Sequence, residues 1–200
     1  MRKTAKKHGF TLVEMVVVMT IIGVLAAILV PTLIGAVMDS RITSGNQTAK
    51  SVKDRANEFF TMMSADNTGY TGGTKTVKLR VENGKWTLNG AGGASDWQDG
   101  VNHWSSVEYV KPPDNAPNKD TEFLSYIADS LSGMGTSYID IHIESGFVIG
   151  VAVVMDSAEA ASEMPSADNF KSGKFGFDGS GKAGVENGTV VGTCPVLTLP

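Results

Sequence analysis

A single carboxylate, Glu14, interrupts an otherwise uncharged apolar stretch from residue 10 to residue 38, and no feature constrains the chain more. Residues 15–38 alone supply 24 consecutive positions, ~36 Å as a helix, and about 20 apolar residues suffice to cross a bilayer. Such a segment cannot fold into a water-soluble domain of this size while staying exposed, so it needs lipid or other apolar helices. The nine residues before it carry Arg2, Lys3, Lys6 and Lys7 and no acid. A basic head before an apolar run fits the positive-inside rule, with the head held in the cytoplasm.

Three readings of this N-terminus compete. A secretory signal peptide would be cut at small residues, for which Leu25-Ala26-Ala27 offers a site. A plain membrane anchor needs only the apolar length. Neither gains anything from Glu14, and an acidic side chain at the centre of a membrane helix costs about 2.5–3.5 kcal/mol on insertion scales. The third reading is a leader cut after Gly9. That cut would create an α-ammonium on Phe10, four residues from Glu14 and about one helical turn away. On this reading the carboxylate is tolerable because proteolysis supplies a positive charge to meet it. If the ammonium belonged to a neighbouring subunit, the pair would set register between helices.

Gly9-Phe10-Thr11-Leu12-Val13-Glu14 resembles the processing motif of type IV pilins and their secretion-system and competence relatives. The resemblance extends through Ile21-Ile22-Gly23-Val24-Leu25-Ala26-Ala27-Ile28 to Pro31 and covers about the first thirty residues. It implies cleavage between Gly9 and Phe10 by a prepilin peptidase, N-methylation of Phe10, and docking of subunits through Phe10 and Glu14. It also implies a helical polymer of identical or homologous subunits, an assembly platform in the membrane, and residence in the bilayer before assembly. The route would run from a single-pass protein of the cytoplasmic membrane to an extracellular pilus serving adhesion or twitching motility. Gly23 and Pro31 are the expected place for the helix to kink or melt, since Pro31 lacks the N–H that would bond the Ala27 carbonyl.

Helical spacing continues beyond the apolar run. Met38, Ile42, Ala49, Val52, Ala56, Phe59 and Met63 form one stripe, with Arg41, Lys50, Lys53, Asp54, Arg55 and Glu58 on the other faces. A helix from residue 10 to 63 would be ~81 Å long, more than a globular core can use. The expected organisation is a leader at 1–9, an apolar helix at 10–38, its amphipathic continuation at 39–63 and a β-rich head at 64–200.

Within the head, 76–81 and 85–88 read as a hairpin about Asn83-Gly84. Residues 137–143 and 147–155 read as strands joined through Glu144-Ser145-Gly146, with Ile139, Ile141 and Ile143 on one face. The second of these, apolar on both faces, reads as central. Residues 122–131 read as a short helix capped by Asp120 or Thr121, and 156–163 as a helical excursion. Strand fragments are expected around Phe175 and Val190. Residues 90–100 read as a flexible loop, and 111–120 as a proline-rich connection. The class is α+β, one long helix against an antiparallel sheet of four to six strands.

No cofactor or metal is expected. His8, His103 and His142 lie far apart and Cys194 is the only cysteine, so no zinc-ligand spacing or intramolecular disulfide is available. The Gly90-Ala91-Gly92-Gly93 run lacks the strand–helix context of a nucleotide loop. Asp178-Gly179-Ser180-Gly181-Lys182 is too poor in acids for a calcium loop and reads as a turn. The sequons at Asn46 and Asn187 carry no argument. Without the leader's four cations, 13 basic side chains face 21 acidic ones, a balance of about −8 that argues against nucleic-acid binding by the head. Trp86 is expected in the core. Trp97, set among Asp96, Gln98, Asp99 and Gly100, is expected to be exposed and to form a surface ligand patch with Trp104.

The leading functional expectation is therefore a structural filament subunit. The rivals are a pseudopilin of a type II secretion or DNA-uptake system, a membrane-tethered carbohydrate-binding adhesin and, more remotely, an exported enzyme.

Overall fold

A computed structural model describes residues 10–82, 85–89, 92–104, 122–128, 131, 134–155, 163–177 and 181–200. The chain divides into two compact units, Met1–Ser40 and Arg41–Pro200. Helix α1 spans Leu12–Ala65 and contributes to both. The second unit holds strands β1 (Lys75–Glu82) and β2 (Lys85–Asn89), helix α2 (Phe123–Ala128), strands β3 (Ser137–Glu144) and β4 (Phe147–Met155), helix α3 (Ala167–Ser172), and strands β5 (Val185–Glu186) and β6 (Thr189–Cys194). The architecture is α+β: residues 41–65 of α1 pack on a six-stranded antiparallel sheet ordered β2-β1-β3-β4-β6-β5.

The three hairpins follow from local chemistry. Ser145 and Gly146 have φ of 51° and 82°, and Asn187 and Gly188 have φ of 47° and 79°. Positive φ at both central residues makes these type I′ turns, whose twist matches that of the flanking strands. Glu82 pairs with Lys85, so β1 and β2 are joined by two residues, and the Asn83-Gly84 turn itself lies outside the described residues. Two residue pairs of strand alternation then decide the faces. Val77, Leu79 and Val81 of β1 and Ile139, Ile141 and Ile143 of β3 are all buried towards α1. Trp86 lies opposite Val81 and is buried, as expected of it.

Helix α1 meets the sheet through Ala49, Val52, Ala56, Phe59, Phe60 and Met63. Its closest approach is at two glycines: a Cβ on Gly192 would fall 2.1 Å from the Gly45 carbonyl carbon. A glycine inside a helix costs about 1 kcal/mol against alanine, and here that loss admits the backbone of β6. Polar side chains on the same flank of α1 complete the sheet. β6 pairs with β4 only from Val151 onward, and Asn57 Oδ1 accepts from Val148 N–H at 2.9 Å while Lys53 Nζ donates to the Ile149 carbonyl at 3.3 Å. β5 pairs with β6 only at Val190 and Thr189, and Asn46 Oδ1 takes the Thr193 N–H at 2.7 Å. The helix thus supplies partners to backbone groups that no strand reaches.

The opposite face of the sheet carries a second, smaller core, in keeping with a strand at 147–155 that is apolar on both faces. Phe170 of α3, Phe175, Phe177 and Leu197 cover Ala152, Val154 and Val191. Gly150 leaves room for this layer, since a Cβ there would fall 2.1 Å from the Phe170 ring. Phe175 N–H donates to the Thr198 carbonyl and Thr198 N–H to the Gly173 carbonyl, which ties the C-terminal residues to the end of α3. The strand fragment expected near Phe175 is not formed. Lys174 makes one isolated bridge to Thr198, and the aromatics serve packing rather than a ladder. α3 itself was missed; its Ser166 cap and Gly173 stop were both present in the sequence.

Two further expectations change. Of the loop at 90–100, residues 92–100 are tied down: a 3₁₀ turn at Ala94–Asp96, a bridge between Trp97 and Tyr70, and an ion pair of Lys75 with Asp96 at 2.9 Å. Of the short helix expected at 122–131, Phe123–Ala128 form α2, and residues 129–130 lie outside the described residues. Its Asp120 and Thr121 cap, the connection at 111–120, the excursion at 156–162 and the first half of Asp178-Gly179-Ser180-Gly181-Lys182 lie outside the described residues, as do Gly90 and Ala91.

Candidate functional site

The start of α1 is set by a reciprocal cap. Thr11 stands just before the first helical residue, and its hydroxyl accepts from Glu14 N–H at 3.2 Å and donates to Glu14 Oε2 at 2.8 Å. The Thr11 backbone N–H donates to the same Oε2 at 2.8 Å. Thr11-Leu12-Val13-Glu14 is thus a capping box, which satisfies donors at the helix N-terminus that would otherwise lack partners. The negative carboxylate also lies at the positive end of the helix dipole.

The helix end therefore gives the Glu14 carboxylate hydrogen-bond partners of its own, in addition to any ammonium that a cut after Gly9 would create. The sequence signal for the cap, a Thr three residues before a Glu, stood inside the motif. Phe10 precedes the cap and is largely exposed, while Gly9 lies outside the described residues.

Beyond the cap, α1 presents only apolar and hydroxyl side chains as far as Met38. Every residue from 10 to 34 is exposed in the subunit, including Val13, Met19, Ile22, Leu25, Ile28 and Leu33. Leu12, Met15, Val16, Met19 and Thr20 line a shallow apolar groove along it. Thr20 and Thr32 turn their hydroxyls back on the helix, donating to the Val17 and Leu29 carbonyls at 2.8 Å, so neither adds an unpaired donor to the surface. The helix runs unbroken through Gly23 and Pro31; the loosening expected there does not interrupt it.

The tryptophan patch is not formed. Trp97 and Trp104 are 3% and 1% exposed and belong to the main core. Their ring centroids lie 5.3 Å apart, and Trp97 is 5.4 Å from Tyr70 and 6.1 Å from both Phe59 and Phe60. Trp97 leaves the 3₁₀ turn in extended backbone and bridges Tyr70, which sets its ring among the core aromatics, while its neighbours make polar contacts: Asp96 with Lys75 and the Gly93 N–H, and Asp99 with His103 Nε2 at 3.0 Å. A polar window around a tryptophan did not imply a polar position for it.

No group of three His, Cys, Asp or Glu side chains that could hold a metal occurs among the described residues. Burial pushes the half-buried Cys194 thiol above its ordinary value, away from the thiolate that nucleophilic chemistry requires.

A membrane-length apolar helix opened by a Thr–Glu cap, with residues 41–65 of the same helix packed on an antiparallel sheet, fits a type IV pilin-like or pseudopilin precursor. Residues 4–30 match the prokaryotic N-terminal methylation motif, the type IV prepilin cleavage and methylation signal. Residues 42–198 match the family described as a domain of unknown function (DUF5021), and the chain belongs to that family. No curated protein and no solved structure matches the chain.

Proposed function

We propose that the chain is the structural subunit of a surface filament, cleaved between Gly9 and Phe10, N-methylated on Phe10 and polymerised through its N-terminal helix. The observation that carries this reading is the exposed apolar surface of residues 10–38, whose only charge is Glu14. Burying such surface contributes about 25 cal/mol per Å² removed from water, a contribution that a helix already in lipid does not gain, so assembly also needs directional contacts. Glu14 supplies one. The cap occupies Oε2, and the Phe10 ammonium of a neighbouring subunit would meet the other carboxylate oxygen. Between Gly23 and Pro31 the helix lacks one hydrogen bond, and this is the stretch that yields when helices are drawn into the fibre.

Localisation follows the same path: a precursor in the cytoplasmic membrane with its basic head inside, then an extracellular pilus. The partners are further copies or homologous subunits, the prepilin peptidase and a membrane assembly platform. With Trp97 and Trp104 in the core, the carbohydrate-binding alternative has lost the residues proposed for it.

The test is Glu14→Gln, with Glu14→Ala beside it. Both variants are expected to be cleaved, giving a mature chain that begins at Phe10 on N-terminal sequencing, while sheared surface fractions lose the fibres seen for the wild type. Normal fibres from either variant would overturn the role of Glu14, and a mature chain beginning near Ala27 would overturn the filament reading itself. Fibres confined to a short rod below the surface would assign the chain to a secretion-type pseudopilus.

A further inference from the structure

His142 lies under the C-terminal layer of the second unit and plays no part in the proposed assembly. It is 3% exposed, on the face of β3 turned away from α1. Its Nδ1 is 2.9 Å from Thr76 Oγ1 on β1, and its ring centroid is 5.3 Å from that of Phe170 on α3. Across β4 its register partner is Gly150, the glycine that admits the Phe170 ring. The backbone shifts register directly after it, between His142 and Ile143. Nε2 is buried without a hydrogen bond of ordinary geometry, and the Pro165 carbonyl is the polar group that faces the ring.

We propose that His142 is an acid-sensitive clasp: its protonation weakens the hold of the layer formed by residues 163–177 and 195–200 on the outer face of the sheet. The charged groups around it do not prepare a place for a cation. Asp140 favours one, but that carboxylate is already paired with Arg80 at 3.0 Å. Lys78 on β1 opposes it. Glu144, two residues along β3, is engaged by Lys171 of α3 at 2.7 Å, and Asp168 lies beside that lysine. β4 brings only the Gly150 backbone opposite the ring. Burial outweighs the favourable Asp140 and Pro165 contributions and holds the imidazole below its ordinary value of 6.5.

The sign of the effect follows. With the layer closed, His142 binds a proton less readily than with the layer open, where it titrates as a free imidazole. Opening therefore takes up a proton, and the closed state is fully favoured above about pH 6.5 and loses ground as the pH falls below it. What opens is specific: Phe170, Phe175, Phe177 and Leu197 leave Ala152, Val154 and Val191. The larger core on the other face is untouched. Glu144 does not confuse the window, because Lys171 holds its carboxyl below the usual carboxylate value, so it stays ionised at pH 5. His103 packs against Trp97 in the main core, on the other face of the sheet from this layer.

The experiment is amide hydrogen exchange on the full mature chain in detergent micelles at pH 7.5 and pH 5.0, corrected for intrinsic exchange. Protection at Phe170, Lys174, Phe175 and Thr198 is expected to fall several-fold at the lower pH, while Ile139, Ile141 and Val153 hold theirs. His142→Gln, which keeps a hydrogen-bonding partner for Thr76, is expected to remove the pH dependence. Equal loss of protection in His142→Gln, or no loss in the wild type, would overturn the clasp. Should the variant fold poorly, the His142 ring resonance in the wild type decides: a midpoint at or above 6.5 is incompatible with it.

Discussion

Glu14 and Thr11 act as a unit, and their separate substitution distinguishes what each contributes. Thr11→Val removes the hydroxyl that both accepts from Glu14 N–H and donates to its carboxylate, and loss of such a cap costs about 1 kcal/mol. Amide protection at Glu14 in micelles should therefore fall in Thr11→Val and hold in Thr11→Ser. Retained protection in Thr11→Val would show that the cap does not set the helix start. Trp97 makes the complementary point about isolated residues. In the core, Trp97→Ala should destabilise the second unit by about 3–5 kcal/mol, read as a lower urea midpoint in micelles. A surface residue would leave that midpoint unmoved.

Among the elements, α1 was the most legible and its mate the least. Its apolar run, its stripe from Ile42 to Met63 and its length all follow from residue spacing. Nothing in that spacing says that Gly45 opposes Gly192, or that Asn46 and Asn57 serve backbone groups of β6 and β4 more than ninety residues away. Gly192→Ala drives a methyl into the α1 backbone and should cost about 3 kcal/mol, the upper end of ordinary overpacking. Asn57→Ala leaves the Val148 N–H without its acceptor and should cost about 1–3 kcal/mol. Both are read from chemical denaturation followed by tryptophan fluorescence, and an unchanged midpoint in either would remove that contact from the account. The hairpins show the same division. Asn83-Gly84 and Ser145-Gly146 stand between recognisable strands, whereas Asn187-Gly188 sits inside a sequon and has no such strand before it. Its flanking strand, Val185–Glu186, is too short to show a period of two.

For the molecule as a whole, the amino-acid sequence determined the membrane-length helix, the processing signal at its start and the α+β class, because each depends on residues close together in the chain. Apolar length, a basic head and a Thr–Glu pair need no tertiary partner to be recognised. The tertiary structure alone decided which segments cover the second face of the sheet, that Trp97 and Trp104 are core residues, and that His142 is enclosed by α3. Those outcomes rest on strand order and on glycines that admit a distant neighbour. Which residue stands opposite a gap is settled only when segments far apart in sequence are brought into register.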